Sequence, residues 1–411
     1  MALYNSLARH VLAPTYDRVR GTHVMRHLRE LEESQWWSRE QLEEVQSQRL
    51  RQLMRHVHAH VPHYRRIMNE HGMRPDDITR PSDLSRLPVL TKDDIRANLR
   101  DLLAEGFPPA QLLAGETGGS TGSPLSFYSS RQARLTHGLA RGMRALQWAG
   151  IHPGDRSVIV TKRGSRQPAG ERLLNHISRS LARDVFVNAS DFSETSLPEV
   201  VRFIGRVRPH ALRGYASAVC IIADFIRESG SAAPAVGEVV VGGEQLFDEQ
   251  RELLHQVFGR QPFSCFSSFE NFEIAMECEA HAGMHVNAED LLVEIVDDTG
   301  KPLPVGHRGR LLVTNLHEFG MPLVRYDTDD ESAFVGTACS CGRQLPLIEG
   351  VVGKTGNVIY TPSGKRLSPL TLGSSGLAPM GIQRFQFEQD ELDHVTARLV
   401  PDSTLSAEDM A

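Results

Sequence analysis

The chain has 411 residues, a formal net charge of −6, 40% hydrophobic and 23% charged residues, the balance of a globular protein large enough for two domains with sizeable cores. The acidic balance argues against general nucleic-acid binding, and no apolar run approaches the roughly 18 residues of a membrane span. Five cysteines in so long a chain make no disulfide framework, and the N-terminus lacks the apolar core and cleavage site of a secretory signal, so cytoplasm is the expected compartment.

In chain order, Ser34 to Tyr64 predicts the longest helix. Ser38 and Gln41 fit a capping box, Leu42, Val45, Leu53, Met54, Val57 and Val61 recur at helical spacing, and Pro62 closes the run. His56, His58, His60 and His63 crowd its end without a nearby carboxylate or cysteine, so a helix-surface role is expected over a metal pair. A second capped helix starts near Thr91. Glu116 to Tyr128 then reads ETGGSTGSPLSFY. Glycines permit close backbone approach, and Thr117, Ser120, Thr121 and Ser123 add hydroxyl and amide donors. Such a turn suits an anion, most naturally a nucleotide phosphate, with a polar surface loop as the competing reading. The spacing is not that of a Walker loop.

Arg131 to Ala149 predicts a helix ended by Gly150. Strands at Ser157–Thr161, Val185–Asn188, Ala211–Gly214 and Glu238–Val241 alternate with helices at Glu171–Leu181, Leu197–Val207 and about Ala218–Arg227. This alternation predicts an α/β layered domain with a parallel-rich sheet. Ligands bind such sheets at the carboxyl ends of the strands, where Gly242-Gly243-Glu244 falls. Beyond about Asn287 the chain reads as β-rich, with strands at Leu291–Val296 and Leu311–Thr314 around the turn Asp297–Gly300 and a short pairing of Val358–Tyr360 with Arg366–Leu367.

Four further constellations carry chemistry. Cys265 to Cys278 reads CFSSFENFEIAMEC, Pro322 to Glu331 reads PLVRYDTDDE, and Gly350 to Gly356 reads GVVGKTG. Cys278, His285, Cys339 and Cys341 form the fourth. Three thiolates and an imidazole satisfy tetrahedral zinc in a closed, structural site. The competing reading is reduced, partly buried cysteines, and His281 is the alternative imidazole. Cys220 and Cys265 read as core.

In this order and separation the motifs resemble the adenylate-forming enzymes, specifically the phenylacetate–CoA ligase-like branch, from about Trp36 to the last residue. The resemblance implies a large multi-layer α/β N-terminal domain (1–352) with parallel-rich sheets and a zinc-stabilised β-rich part at about 278–350. A hinge and a small, incomplete α+β C-terminal domain follow (353–411). TGGSTGSP looks like the family's phosphate loop, so Thr117, Gly118, Gly119, Ser120, Thr121 and Gly122 would bind nucleotide, with Thr121 also catalytic. Ser123 stands where lysine is common. Gly243 and Glu244 would form the adenine-side turn and Phe266 would border adenine. Glu270 would be the catalytic, magnesium-binding carboxylate, and Asp330 would hold the ribose hydroxyls. Tyr215, Ala216, Gly243 and Phe269 would border the acid. Some members of the branch carry a similar Cys/His zinc site.

The implied activity is ATP- and Mg²⁺-dependent conversion of a carboxylic acid, aromatic by family weighting, into its acyl-AMP, followed by transfer to a thiol, coenzyme A above all. Transfer to an amine or a carrier protein is the alternative, and a degenerate, non-catalytic nucleotide-binding protein is another. A homodimer is compatible with the resemblance. Relatives place a late Gly-Lys lysine on the reacting groups. Lysines here stand only at 92, 162, 301, 354 and 365, none in that motif, with Lys354 and Asn357 in place of the hinge's arginine and aspartate. Whether the chain is cut short or lacks that lysine, impaired adenylation with intact nucleotide binding is the expectation.

Overall fold

The computed structural model describes residues 2–117, 125–161, 182–193, 195–336, 338–353, 359–360, 362, 366–367 and 382–401. Two compact units emerge: Met1–Gly154 with Phe263–Lys354, and Asp155–Pro262 with Thr355–Ala411. In chain order the strands are β1 (Leu112–Glu116), β2 (Ser126–Ser130), β3 (Ser157–Thr161), β4 (Asp184–Asn188), β5 (Ala211–Tyr215), β6 (Glu238–Gly242), β7 (Phe263–Ser268), β8 (Phe272–Glu277) and β9 (Met284–Val286). They continue as β10 (Leu291–Val296), β11 (Gly309–Asn315), β12 (Tyr326–Ser332), β13 (Phe334–Val335), β14 (Leu347–Ile348), β15 (Ile359–Tyr360), β16 (Arg366–Leu367), β17 (Ile382–Glu391) and β18 (His394–Pro401).

In the first unit the capping box forms as read. Ser38 Oγ accepts from the Gln41 amide at 3.3 Å and Gln41 Oε1 accepts from the Ser38 amide at 2.9 Å, opening the helix Arg39–His60. The expected single run divides, however. A separate helix, Val24–Ser34, precedes it, and Pro62 opens the helix Pro62–Glu70. Proline ends one helix by forcing Val61 into extended backbone and suits the first position of the next, where its missing N–H is not needed. Tyr64 therefore belongs to the second helix, where it donates to the Pro322 carbonyl at 3.0 Å and accepts from the Val324 amide at 2.8 Å. His56 meets the Phe319 carbonyl at 2.8 Å, and His63, expected on the helix surface, is buried because it belongs to the second helix. Leu50, Leu53, Met54 and Val57 pack with Phe127, Leu316, Met321 and Leu323 in one core.

The helix expected over Arg131–Ala149 begins as a π turn, Ala133–Gly138, and becomes α over Leu139–Trp148. Gly138 lies against the Phe272 ring so closely that a Cβ would stand 3.0 Å from it, which leaves no room for a larger residue. From this helix two buried arginines reach inward. Arg144 pairs with both carboxylate oxygens of Glu289, at 2.6 and 2.9 Å, and donates to the Leu31 carbonyl at 3.0 Å. Ser34 Oγ also donates to Glu289, at 2.6 Å.

β10, β11 and β12 form an antiparallel sheet, and β7, β8, β9, β14 and β13 pair antiparallel in sequence. The second unit carries the alternation read from the sequence. β4, β3, β5 and β6 are neighbours in that order, all parallel, with helices Leu197–Val207, Ala216–Ser229 and Asp248–Phe258. Val158, Val160, Leu212, Val239, Val241 and Leu254 form its core. Connections from β3 and β5 leave toward opposite edges, so the switch point, where ligands settle in such sheets, lies between these two strands. The helix expected at Glu171–Leu181 lies outside the described residues. β15 pairs with β16, and β17 with β18 in a hairpin. Cys220 is buried as expected, whereas Cys265, expected in the core, is only half-buried. Among the described residues, no helix is long and apolar enough to cross a membrane.

Candidate active site

The glycine-rich stretch joins β1 to β2. Residues 118–124, and with them Gly118, Gly119, Ser120, Thr121 and Gly122, lie outside the described residues. The loop's base is closed by two hydrogen bonds: the Thr117 amide donates to the Leu125 carbonyl at 3.0 Å and the Leu125 amide to Thr117 Oγ1 at 3.1 Å. Gly115 lets the Phe127 ring cross the hairpin, since a Cβ there would stand 2.4 Å from it.

Glu270 sits at the tip of the β7–β8 hairpin. The register breaks between Phe266 and Ser267, as at a bulge, which re-aims the side chains that follow. Ser268 Oγ accepts from the Asn271 amide at 3.0 Å and Phe272 takes a positive φ of 59°, so the tip is held in a tight turn. Tyr326, on β12, donates its hydroxyl to Glu270 Oε1 at 2.7 Å. Burial first, and the facing carboxylate second, raise the Tyr326 pKa, so the phenol stays a donor. Phe266 is half-buried in β7, whereas Phe269 is 57% exposed.

Asp330 lies four residues beyond Tyr326 on the same strand. Arg325 fixes the start of that strand: at a φ of 55° its guanidinium pairs with Glu294 at 3.1 Å and donates to the carbonyls of Leu87 and Gly300. Burial chiefly raises the Asp330 carboxyl to about 6, with Lys92 opposing and Asp329 and Asp327 adding to it. Lys92 itself pairs with Asp329 at 3.1 Å. Gly353 approaches Asp330 closely, its Cβ position 3.6 Å from a carboxylate oxygen.

A small crevice is lined by Glu270, Asn271, Asn315, Glu318, Tyr128 and Met321, among others. Glu318 went unread in the sequence. It is buried, accepts from the amides of Ser130, Gly320 and Met321 at 2.8–3.2 Å, and burial pushes it up to about 7. Its only sequence signal is an acid beside a Phe-Gly turn, which no spacing rule picks out. Tyr326 was also missed as a partner of Glu270, although it lies inside RYDTDD.

In the second unit Tyr215 ends β5 beside the switch point and pairs in register with Gly242. Gly243 has a φ of 71°, and a Cβ there would meet the Tyr215 ring at 2.7 Å. Both the left-handed backbone and the close approach require glycine. Glu244 accepts from the Ser217 amide at 2.8 Å, at the start of the helix that Ala216 opens, while its other oxygen is buried without a partner among the described residues.

The cysteine set converges in the first unit. Cys278 and Cys339 sulfurs stand 3.6 Å apart and Cys341 Sγ is 3.2 Å from His285 Nε2. All four donor atoms lie within 4.8 Å of one another. His285 Nδ1 faces the Leu345 carbonyl at 3.3 Å, which leaves Nε2 turned toward the thiols and able to hold a metal. Burial lowers His285 to about 4, keeping it neutral as ligation requires. His281 instead faces Glu277 at 3.1 Å.

No family model matches the chain. It is 27% identical over 328 residues to a phenylacetate–coenzyme A ligase of Thermus thermophilus, covering 78% of this chain and 72% of that protein. It is 26% identical over 329 residues to the corresponding ligase of Pseudomonas putida, covering 77% and 72%. The chain is a homologue of the phenylacetate–coenzyme A ligases. Its fold is that of the adenylate-forming CoA ligases: 2-hydroxyisobutyryl-CoA ligase, solved with 2-HIB-AMP and CoA, superposes with a TM-score of 0.66 at 21% identity, covering 89% of this chain and 80% of that one. In this chain the acidic hairpin tip at Glu270 and the β12 carboxylate Asp330 belong to the same unit.

Proposed function

We propose that the chain activates a carboxylic acid with ATP and passes the acyl group to coenzyme A. In the first step a carboxylate oxygen attacks the α-phosphorus, forming acyl-AMP and releasing pyrophosphate. In the second the CoA thiol attacks the acyl carbon, releasing AMP and a proton. The observation that carries the reading is Glu270, held at a strained hairpin tip by Tyr326 on the strand that also bears Asp330. The names of the relatives point to the same chemistry, and aromatic acids are the first substrates to try.

Two anions must meet in the first step, so phosphate charge has to be neutralised before attack. Glu270 offers a hard oxygen donor for Mg²⁺, which supplies that neutralisation when bound. Tyr326 holds the carboxylate in place, and Asp330 accepts from the ribose hydroxyls, positioning the nucleotide without moving a proton. By the family resemblance, Phe266 in the first unit would border adenine, and Gly243 and Tyr215 in the second would border the acid. Carboxylate-dependent exchange of pyrophosphate into ATP tests the proposal, with thioester formation from CoA as the second readout. No exchange across a broad acid panel overturns it. Exchange without thioester, but with amide product or acylated carrier protein, moves the acceptor.

The Asp330 carboxyl has a pH consequence of definite sign. Its folded pKa, about 6, lies above the model-peptide value of about 3.9. Between these values the folded state binds more protons, so this group's contribution to stability falls as pH rises from about 4 to about 6. Ribose binding uses the ionised form, so AMP affinity rises with pH through about 6, measured by calorimetry. Asp330→Asn removes both dependences and weakens AMP binding.

The Cys278–His285–Cys339–Cys341 set holds a structural zinc in this proposal, the enzyme working in the cytoplasm where free thiols persist. Cys339→Ser then retains one equivalent of zinc per chain fewer than the parent by metal analysis, and melts at lower temperature.

A further inference from the structure

A second group of donors in the first unit belongs to none of these motifs. His27 comes from the helix Val24–Ser34, His137 from the π turn, Asp290 from the residue before β10, and His317 from the loop after β11. One donor atom from each lies within 4.8 Å of the others. His27, His137 and Asp290 are 3%, 7% and 0% exposed. His317 Nε2 stands 3.0 Å from one Asp290 oxygen, and His27 Nε2 stands 2.7 Å from the other.

The decisive group is His137. Its Nδ1 is buried with no hydrogen-bond partner among the described residues and points toward Asp290 Oδ2 at 3.8 Å. A buried imidazole nitrogen without a partner is a costly arrangement that calls for an occupant. His27 has a carboxylate on its outer nitrogen, Glu30 at 3.1 Å, the support that orients histidine ligands. Arg49 and Arg141 border Asp290 at 3.0 and 3.4 Å, but each is also anchored on main-chain carbonyls, Arg49 on Glu289 and Arg141 on Asn271 and Glu273. The groups that face inward are three imidazoles and one carboxylate, a nitrogen-rich set that selects first-row transition ions over magnesium or calcium.

We propose that His27, His137, His317 and Asp290 form a second metal site that takes a divalent transition ion such as Zn²⁺ or Co²⁺. Occupancy gives His137 Nδ1 its missing partner. It also parts the His137 and His317 rings, now stacked 3.6 Å apart, because imidazoles on one ion radiate away from it.

Titration of the metal-stripped chain with Co²⁺ tests this without reference to activity. The expected result is two equivalents bound: one with thiolate-to-cobalt charge-transfer absorption from the cysteine set, the other with ligand-field bands alone. His137→Gln loses the second and keeps the first, and Cys339→Ser does the reverse. His137 Nδ1 has no hydrogen bond to lose, so its replacement should fold; should it not, the two spectral signatures of the unmutated chain decide the matter. A single equivalent carrying thiolate absorption overturns the proposal, as does a second equivalent that survives in folded His137→Gln.

Discussion

Replacing Glu270 by glutamine is expected to slow acyl-adenylate formation by about 10²–10³-fold, the usual loss when one preorganised charge-stabilising group is removed from an active site. Pyrophosphate exchange at saturating ATP and Mg²⁺ reads the effect. Glutamine keeps the size of the side chain and an acceptor for the Tyr326 hydroxyl, so the hairpin should hold its shape. What disappears is the negative charge on the oxygen that would bind the cation. AMP alone binds without Mg²⁺ through the ribose and adenine contacts, so its affinity should stay close to that of the parent chain. Equal loss in both assays would remove Glu270 from the magnesium role and make it a determinant of the fold. Tyr326→Phe, which frees Glu270 from its 2.7 Å hydrogen bond, should give a smaller loss in exchange of the same kind.

The largest expected effect on stability is at Arg144. Arg144→Met removes the bidentate partner of Glu289, whose side chain is 2% exposed, and leaves a buried charge with Ser34 as its one remaining side-chain donor among the described residues. Breaking such a pair from one side costs about 3–5 kcal/mol. Urea unfolding should show that loss in the midpoint, with an unchanged slope. Replacing both partners, Arg144→Met with Glu289→Met, should recover much of it, because no uncompensated charge then remains. If the double variant is no better than the single one, the arginine acts through its bonds to the Leu31 carbonyl and Asn287 rather than through Glu289.

Local signals carried well from sequence to structure. The Ser38–Gln41 capping box and the Thr91 cap are contacts between residues three apart, and both form. The alternating strands and helices of the second unit follow from apolar runs and caps that need no distant partner. Cys278, His285, Cys339 and Cys341 were legible for a different reason. Few residue types can do their chemistry, so composition singled them out even though Cys278 and Cys339 are 61 residues apart. Contacts across long separations with ordinary residue types stayed hidden. His27 and Asp290 are 263 residues apart, and nothing near either marks the other. The π turn at Ala133–Gly138 was likewise invisible, since no residue spacing in the sequence marks it. Glu318 looked like any surface acid, and only the fold places three amides around it.

The first unit is made of two stretches of chain, Met1–Gly154 and Phe263–Lys354, with most of the second unit encoded between them. During synthesis this order has a cost in time. Leu50, Leu53, Met54 and Val57 leave the ribosome long before Leu316, Met321 and Leu323, the residues that complete their core. At about 5–20 residues per second those side chains wait for some ten seconds or more with their apolar surface uncovered. The parallel sheet at 157–242 has its strands in one continuous segment and can pair as it emerges. The middle of the nascent chain can thus close its core before the beginning can, because the N-terminal helices share theirs with residues as late as Tyr326.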